Sequence, residues 1–224
     1  MIEKAVVTPT GIKELLKSYD WTKSISEYIW NGFDANATRV DLSFKAHASP
    51  LDTIYEITIS DNGGGISKVD LPRKFQPIYE SEKALLSNQP KHHSFPHGKE
   101  GKGRLTFFTF AGLASWITTC KESQAFVTQR IRIHSESLDS YEPQQIVCPK
   151  DETGTKVIFE KISGISKHEV ETVLIPFLKR EFAWFIELKR SEVTLTIDGA
   201  VLDYEDIVQE RAAVEYNKGQ FEKC

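Results

Sequence analysis

A chain of 224 residues, 40% hydrophobic and 11% aromatic, can close a sizeable core as one large domain or two small ones. Its formal charge of −4 and pI near 5.9 leave no general basic field, so nucleic-acid binding would need a local patch or another subunit. No apolar run approaches the ~20 residues of a bilayer span, and the opening MIEKAVVTPTGIKELL has no basic-then-apolar leader pattern, which argues against a membrane partner and makes the cytoplasm the default location.

The first predicted element is a short helix from Thr10 to Tyr19. A longer one runs from Trp21 to about Ala37, with Ile25, Tyr28, Ile29 and Phe33 at helical spacing. On this second helix Glu27, Asn31 and Asp34 stand at i, i+4 and i+7. At about 100° per residue they fall within an arc of roughly 60°, away from the apolar side. A stripe of carboxylate, amide and carboxylate suits a hard cation such as Mg²⁺, the amide oxygen entering the metal shell while a carboxylate orients water. A solvated helix face would show the same spacing, so the stripe alone decides nothing.

Two strands are expected at 39–46 and 54–60. The second ends on Ser60-Asp61-Asn62-Gly63-Gly64-Gly65-Ile66, an acidic side chain followed by glycines that let a flat ligand approach the backbone. Asp61 there could accept a hydrogen bond from an exocyclic amine. Read alone, DNGGG is a tight turn.

From about Pro72 to Gly103 the chain carries prolines at 72, 77, 90 and 96 and little periodicity, which predicts a long irregular loop. Compact domains seldom keep a structureless loop of ~30 residues unless it is functional, a lid being the usual case. The loop ends on HGKEGKGR at 97–104, where free backbone N–H groups at a helix start favour phosphate. GxxxxGK[ST] is absent and no strand precedes the glycines, so neither a P-loop nor a Rossmann fingerprint is present. His92, His93 and His97 have no partnered cysteine or regular spacing and read as solvated loop residues instead of a metal site.

A helix from about Gly103 to Ala111 follows, then strands near 114–120, 124–134, 143–148 and 154–160, a helix over 167–188, and a last strand over 192–197 that turns at Asp198-Gly199. Gly154-Thr155 opens the strand at 154, and the Thr155 hydroxyl could hold an ordered water near a buried ligand. The tryptophans and the phenylalanines at 107, 108 and 110 fall in apolar runs and read as core. Cys120, Cys148 and Cys224 are far apart, without CxxC spacing, and read as buried or incidental thiols. Strands in consecutive runs, without strict βαβ alternation, predict an α/β (α+β) two-layer sandwich: a mixed, mostly antiparallel sheet covered by helices, not a doubly wound one. The polar tail after Tyr204 reads as weakly packed, or as the start of a further segment.

Taken in order, ExxxNxxDAxAT at 27–38, DNGGGI at 61–66, GxxGxGR at 98–104 and Gly154-Thr155 resemble the four motifs of the GHKL ATPases: gyrase B, the ninety-kilodalton heat-shock chaperones, sensor histidine kinases and MutL. The resemblance spans roughly residues 11–200. It implies the Bergerat fold, with helices on one face of the sheet and an ATP lid at about 72–103, in a domain over 1–205 ahead of a tail at 206–224.

The same resemblance implies that Glu27 is the general base that orients water onto the γ-phosphate, that Asn31 supplies its side-chain oxygen to Mg²⁺, and that Asp34 lines the same pocket. It makes Asp61 the reader of the adenine N6 amine, with Gly63, Gly65 and Ile66 beside the base and Thr155 helping through water. Adenine is then preferred over guanine, which carries a carbonyl there. Gly98, Gly101 and Gly103 would wrap the phosphates through backbone N–H groups, with Lys99 or Lys102 adding charge. The segment NGFDANATRVDL is similar to its counterpart in MutL and MORC-type proteins, whereas HGKEGKGRL departs from the GFRGEAL of MutL. Sensor kinases lack the water-activating glutamate, so Glu27 implies hydrolysis in place of phosphotransfer. The resulting expectation is Mg-dependent ATP binding and slow hydrolysis that closes the lid and drives self-association or docking of a partner domain. A non-hydrolysing ATP-sensing module stays open at this point, as does, less favoured, a sensor histidine kinase catalytic domain.

Overall fold

In the computed structural model, which describes residues 8–48, 52–75, 103–147, 151–189 and 192–209, the chain opens with α1 (Pro9–Leu15). Thr8 caps it by accepting from Gly11 N, and Pro9 takes a first-turn position where its missing N–H is not needed. The helix α2 (Trp21–Asp34) begins at Asp20, whose carboxylate accepts from Lys23 N. It stops short of the expected Ala37 because Asn36 turns into the left-handed region at φ 60, a conformation asparagine tolerates. The buried side of α2 carries Ile25, Tyr28, Ile29, Trp30 and Phe33. Glu27, Asn31 and Asp34 are half-buried, in keeping with the stripe read from their spacing.

Eight strands form one sheet: β1 (Arg39–Ala46), β2 (Ile54–Asp61), β3 (Ala111–Glu122), β4 (Ala125–His134), β5 (Glu142–Ile146), β6 (Gly154–Ile162), β7 (Thr194–Ile197) and β8 (Ala200–Val201), in the order β5-β4-β3-β6-β2-β1-β7-β8. Every neighbouring pair is antiparallel except β1 with β7. Alternation puts Val40, Leu42, Ile57, Ile59, Trp116, Ile131, Val157, Phe159 and Leu195 into the core, the period-2 pattern of a sheet covered on one face. The expected mixed, mostly antiparallel two-layer arrangement is what forms.

One loop expectation needs correction, and one helix takes a tighter form than the sequence specifies. The irregular loop expected from about Pro72 begins later, because residues 72–75 belong to α3 (Asp70–Phe75). Pro72 sits in its first turn, where proline breaks no helical bond, and Ser67 Oγ accepts from Asp70 N at 3.1 Å. The helix expected from about Gly103 to Ala111 is present as a 3-10 helix, Gly103–Thr109. There Thr106 Oγ1 donates to Gly103 O and Thr109 Oγ1 to Thr106 O, side-chain bonds three residues back that draw the backbone into the tighter winding.

The long helix expected over 167–188 is present in three parts. A first turn, α4 (Lys167–Glu169), is fixed by a Ser166–Glu169 capping box. A π-helical turn, Val170–Leu174, follows, and then α5 (Ile175–Leu188). Pro176 opens α5 and cannot donate to the carbonyl four residues back, so the wider π turn relieves the clash its ring would make there. Helix α5 packs on α2 through Phe182 against Trp30 (ring centroids 4.6 Å) and Phe185 against Phe33 (5.0 Å). This seam fixes α2 over the sheet. Beyond β8, Tyr204 donates to Glu187 Oε2 at 3.0 Å and Lys179 pairs with Asp206 at 2.8 Å. Among the described residues no helix is long and apolar enough to cross a membrane.

Candidate functional site

Asp61 is the last residue of β2, and α2 rests directly on it. Gly32 makes the approach possible: a Cβ at that position would stand 3.1 Å from Asp61 Cβ and 2.9 Å from Val40 Cγ2. Asp61 Oδ1 accepts two backbone donors, Gly63 N at 2.8 Å and Thr155 N at 3.3 Å. Among the described residues no donor reaches Oδ2. Burial pushes the Asp61 carboxyl up to about 6, against the lowering pull of those two N–H groups and of the Lys74 charge. The result is a carboxylate with one oxygen fixed by the fold and the other still able to accept.

The turn after Asp61 is tied down on both sides. Asn62 Oδ1 accepts from Thr38 N and Arg39 N, and its Nδ2 donates to Thr38 Oγ1 at 2.9 Å. Gly64 N donates to Ala35 O at 3.0 Å, which holds the turn to the end of α2. On the other side Ile66 N donates to Thr118 Oγ1 at 2.8 Å, and that hydroxyl lies 3.0 Å from Thr155 Oγ1. Gln129 Nε2 donates to Ile66 O at 3.4 Å. Gly65 has φ +72, and a Cβ there would collide with the Thr119 carbonyl oxygen. Gly65→Ala therefore meets both a backbone clash and a disfavoured conformation. It is expected to cost about 2 kcal/mol or more, visible as a fall in Tm of roughly 4–8 °C.

Glu27 faces the third segment. A Cβ on Gly103 would stand 2.7 Å from Glu27 Oε2, so the carboxylate lies against glycine backbone that no side chain blocks. The neighbouring contacts set this register: Tyr28 OH donates to Arg104 O at 2.7 Å, and Thr109 Oγ1 lies 2.9 Å from Ser24 Oγ. Arg104 Nη2 reaches across to donate to Phe75 O at 3.1 Å.

The residues singled out from sequence thus gather in three contiguous groups. Glu27, Asn31 and Asp34 lie along α2. Asp61, Gly63, Gly65, Ile66 and Thr155 surround the end of β2, and Gly103 closes against Glu27. Gly98, Lys99, Gly101 and Lys102, with His92, His93 and His97, lie outside the described residues, as do Cys148 and Cys224. Cys120 is a buried free thiol. Sequence reasoning missed Thr118, Gln129, Asn62 and the Tyr28 hydroxyl. Asn62 had a detectable signal, because an asparagine after a strand-end aspartate is a turn former that bonds nearby backbone; the others had none. A cavity of about 450 Å³ lined by Phe44, Ile54, Val170, Ile175 and Leu202 shares no residue with this site.

A polar helix stripe, a strand-end carboxylate and a glycine segment are thus brought together in a mostly antiparallel α/β sandwich. The family described as Histidine kinase-, DNA gyrase B-, and HSP90-like ATPase matches residues 19–173, more than half of the chain, and the chain belongs to it. Among solved structures it is similar to the ATPase region of Saccharomyces cerevisiae topoisomerase II, at 15% identity and a TM-score of 0.56. It is also similar to the ATPase and transducer domains of DNA topoisomerase II from Balamuthia mandrillaris, at 15% identity and a TM-score of 0.57. The same yeast region bound to ICRF-187 (dexrazoxane) gives 16% and 0.56. In each case the match covers 81% of this chain and 48% of the other, so the chain spans about half the length of these structures. At such identity the likeness shows the fold. No curated protein matches the chain.

Proposed function

We propose that this domain binds Mg-ATP and hydrolyses it slowly, with lid closure and association with a second copy or a partner domain as the output. The observation that carries the reading is Asp61: Oδ1 is held by Gly63 N and Thr155 N, and Oδ2 takes no donor among the described residues. A fixed, half-satisfied carboxylate beside glycine backbone suits an exocyclic amine on a flat base. Gly63, Gly65 and Ile66 would border the adenine, and the Thr155–Thr118 hydroxyl pair would hold a water next to it.

Along α2, Glu27 would orient a water toward the γ-phosphate and take its proton. Asp34 would line the same pocket. Among the described residues no three His, Cys, Asp or Glu side chains gather as a metal cage. Mg²⁺ keeps several waters and takes few protein ligands beside substrate phosphates, and the Asn31 side-chain oxygen would supply one of them. Magnesium held there supplies charge neutralisation at the phosphates. Gly98, Gly101 and Gly103, with Lys99 or Lys102, would hold the phosphates by backbone N–H groups and charge.

The test is calorimetric titration with Mg-ATP and with Mg-GTP, with phosphate release followed in parallel. ATP is expected to bind more tightly than GTP by at least about tenfold. Equal affinities, or no binding, would overturn the reading. Tight binding without phosphate release would select an ATP-sensing module in place of an ATPase.

A further inference from the structure

We infer that Arg104 is the positioning residue for the Glu27 carboxylate, acting through the backbone of Gly103. The inference rests on the reading of Glu27 as the base, and adds to it the device that holds that base in place.

Two successive residues of one segment are registered against two successive residues of α2. Gly103 abuts Glu27 Oε2, and the next carbonyl, that of Arg104, accepts from the OH of the next helical residue, Tyr28, at 2.7 Å. The Arg104 guanidinium then spans to Phe75 O at 3.1 Å. Arg104 is therefore held at both its main chain and its side chain, and each anchor is part of the core. The Tyr28 ring packs on Phe159 (4.7 Å) and Trp116 (6.3 Å). The Phe75 ring packs on Trp116 and Tyr141, both at 5.5 Å. Close-packed aromatics transmit position because they cannot yield without opening voids.

The side-chain chemistry suits such a clasp. Burial pulls the Arg104 guanidinium down to about 10, which leaves it a cation at neutral pH. Burial also drives the Tyr28 phenol well above its ordinary value, so it remains a donor. A planar guanidinium offers several donors in fixed geometry, whereas a lysine ammonium is a single mobile point. Glu27, in contrast, is a half-buried side chain with three rotatable bonds. The backbone at Gly103 forms one wall against which its carboxylate rests.

The test uses Arg104→Met, Arg104→Lys and Tyr28→Phe in the full chain. Two quantities are measured for each: the affinity for a non-hydrolysable ATP analogue with Mg²⁺, and steady-state phosphate release. Misplacing a catalytic group by about 1 Å costs up to about a hundredfold in rate, so Arg104→Met is expected to lower turnover by about ten- to a hundredfold. Analogue affinity should stay within about threefold, the pattern of an interaction that acts on the chemical step. Arg104→Lys should recover part of the rate, and Tyr28→Phe, which leaves the ring packed, should lose several-fold.

A merely structural role would lower affinity and Tm together and leave kcat per bound site unchanged. If Arg104→Met does not fold, Tyr28→Phe decides. Turnover in the folded variants within about twofold of the parent would overturn this inference and leave Glu27 as base untouched. A parent chain that binds the analogue and never releases phosphate would instead overturn the hydrolysis reading, and this inference with it.

Discussion

Asp61→Asn is expected to weaken Mg-ATP binding by about a hundredfold or more while the domain stays folded. The reason lies in which oxygen is already committed. Gly63 N and Thr155 N both donate to Oδ1, so an asparagine must place its carbonyl there to keep these two donors satisfied. Its amide nitrogen then falls where Oδ2 was, and a donor meets the N6 donor of adenine. Guanine presents an acceptor at the corresponding atom, so the variant should lose its preference for ATP or reverse it. Titrating ATP and GTP into parent and variant reads both effects. Unchanged ATP affinity would remove Asp61 from the recognition of the base.

The same carboxyl makes two pH dependences of opposite sign. Its ordinary value is 3.8 and the folded chain raises it to about 6. Between these values the folded chain binds the proton more readily than the unfolded chain, so the ligand-free domain loses stability as pH rises from about 4 to 6. Above about 6 the full cost applies, on the order of 2–3 kcal/mol, and below about 4 it vanishes. ATP, in contrast, offers a donor to the ionised form, so its affinity should climb up to about pH 6 and level off above it. Asp61→Asn should flatten both profiles, and it should raise the Tm of the ligand-free domain at neutral pH.

The parts of this site that could be read in the sequence are those in which one short segment carries the whole pattern. Glu27, Asn31 and Asp34 share a helix, and helical periodicity alone puts them on one side. Asp61 and its glycines share a turn. Strand runs without intervening helices predicted the mostly antiparallel sheet that forms. What could not be read depends on pairing across distance. Thr118 and Gln129 reach Ile66 only because β3 and β4 bring residues 52 and 63 positions away alongside the turn. The Tyr28 hydroxyl was invisible for another reason: a tyrosine at an apolar helical position reads as a core ring, and its OH finds Arg104 O only in three dimensions. The end of α2 was overrun because periodicity continues to Ala37, whereas the left-handed Asn36 and the Gly64–Ala35 bond decide where the helix stops.

Glu27→Ala is expected to abolish most phosphate release, by about 10²–10⁴-fold, the range lost with a general base. Nucleotide affinity should change little, because base, amine and phosphate contacts lie elsewhere. Glu27→Gln separates the two ways this could happen. The amide keeps the shape that rests on Gly103 and loses only basicity, so a loss as deep as that of alanine assigns the effect to proton transfer. Gly103→Ala approaches the same atom from the other side. Its new methyl would stand 2.7 Å from Glu27 Oε2, closer than a carbon and an oxygen can rest, so the carboxylate must swing away while its chemistry stays intact. Turnover that falls in Gly103→Ala with analogue binding retained would show that the position of the carboxylate limits the rate as much as its presence does. Turnover retained in both Gly103→Ala and Glu27→Gln would mean that the proton is taken by some other group, and the helix stripe would then be a binding surface only.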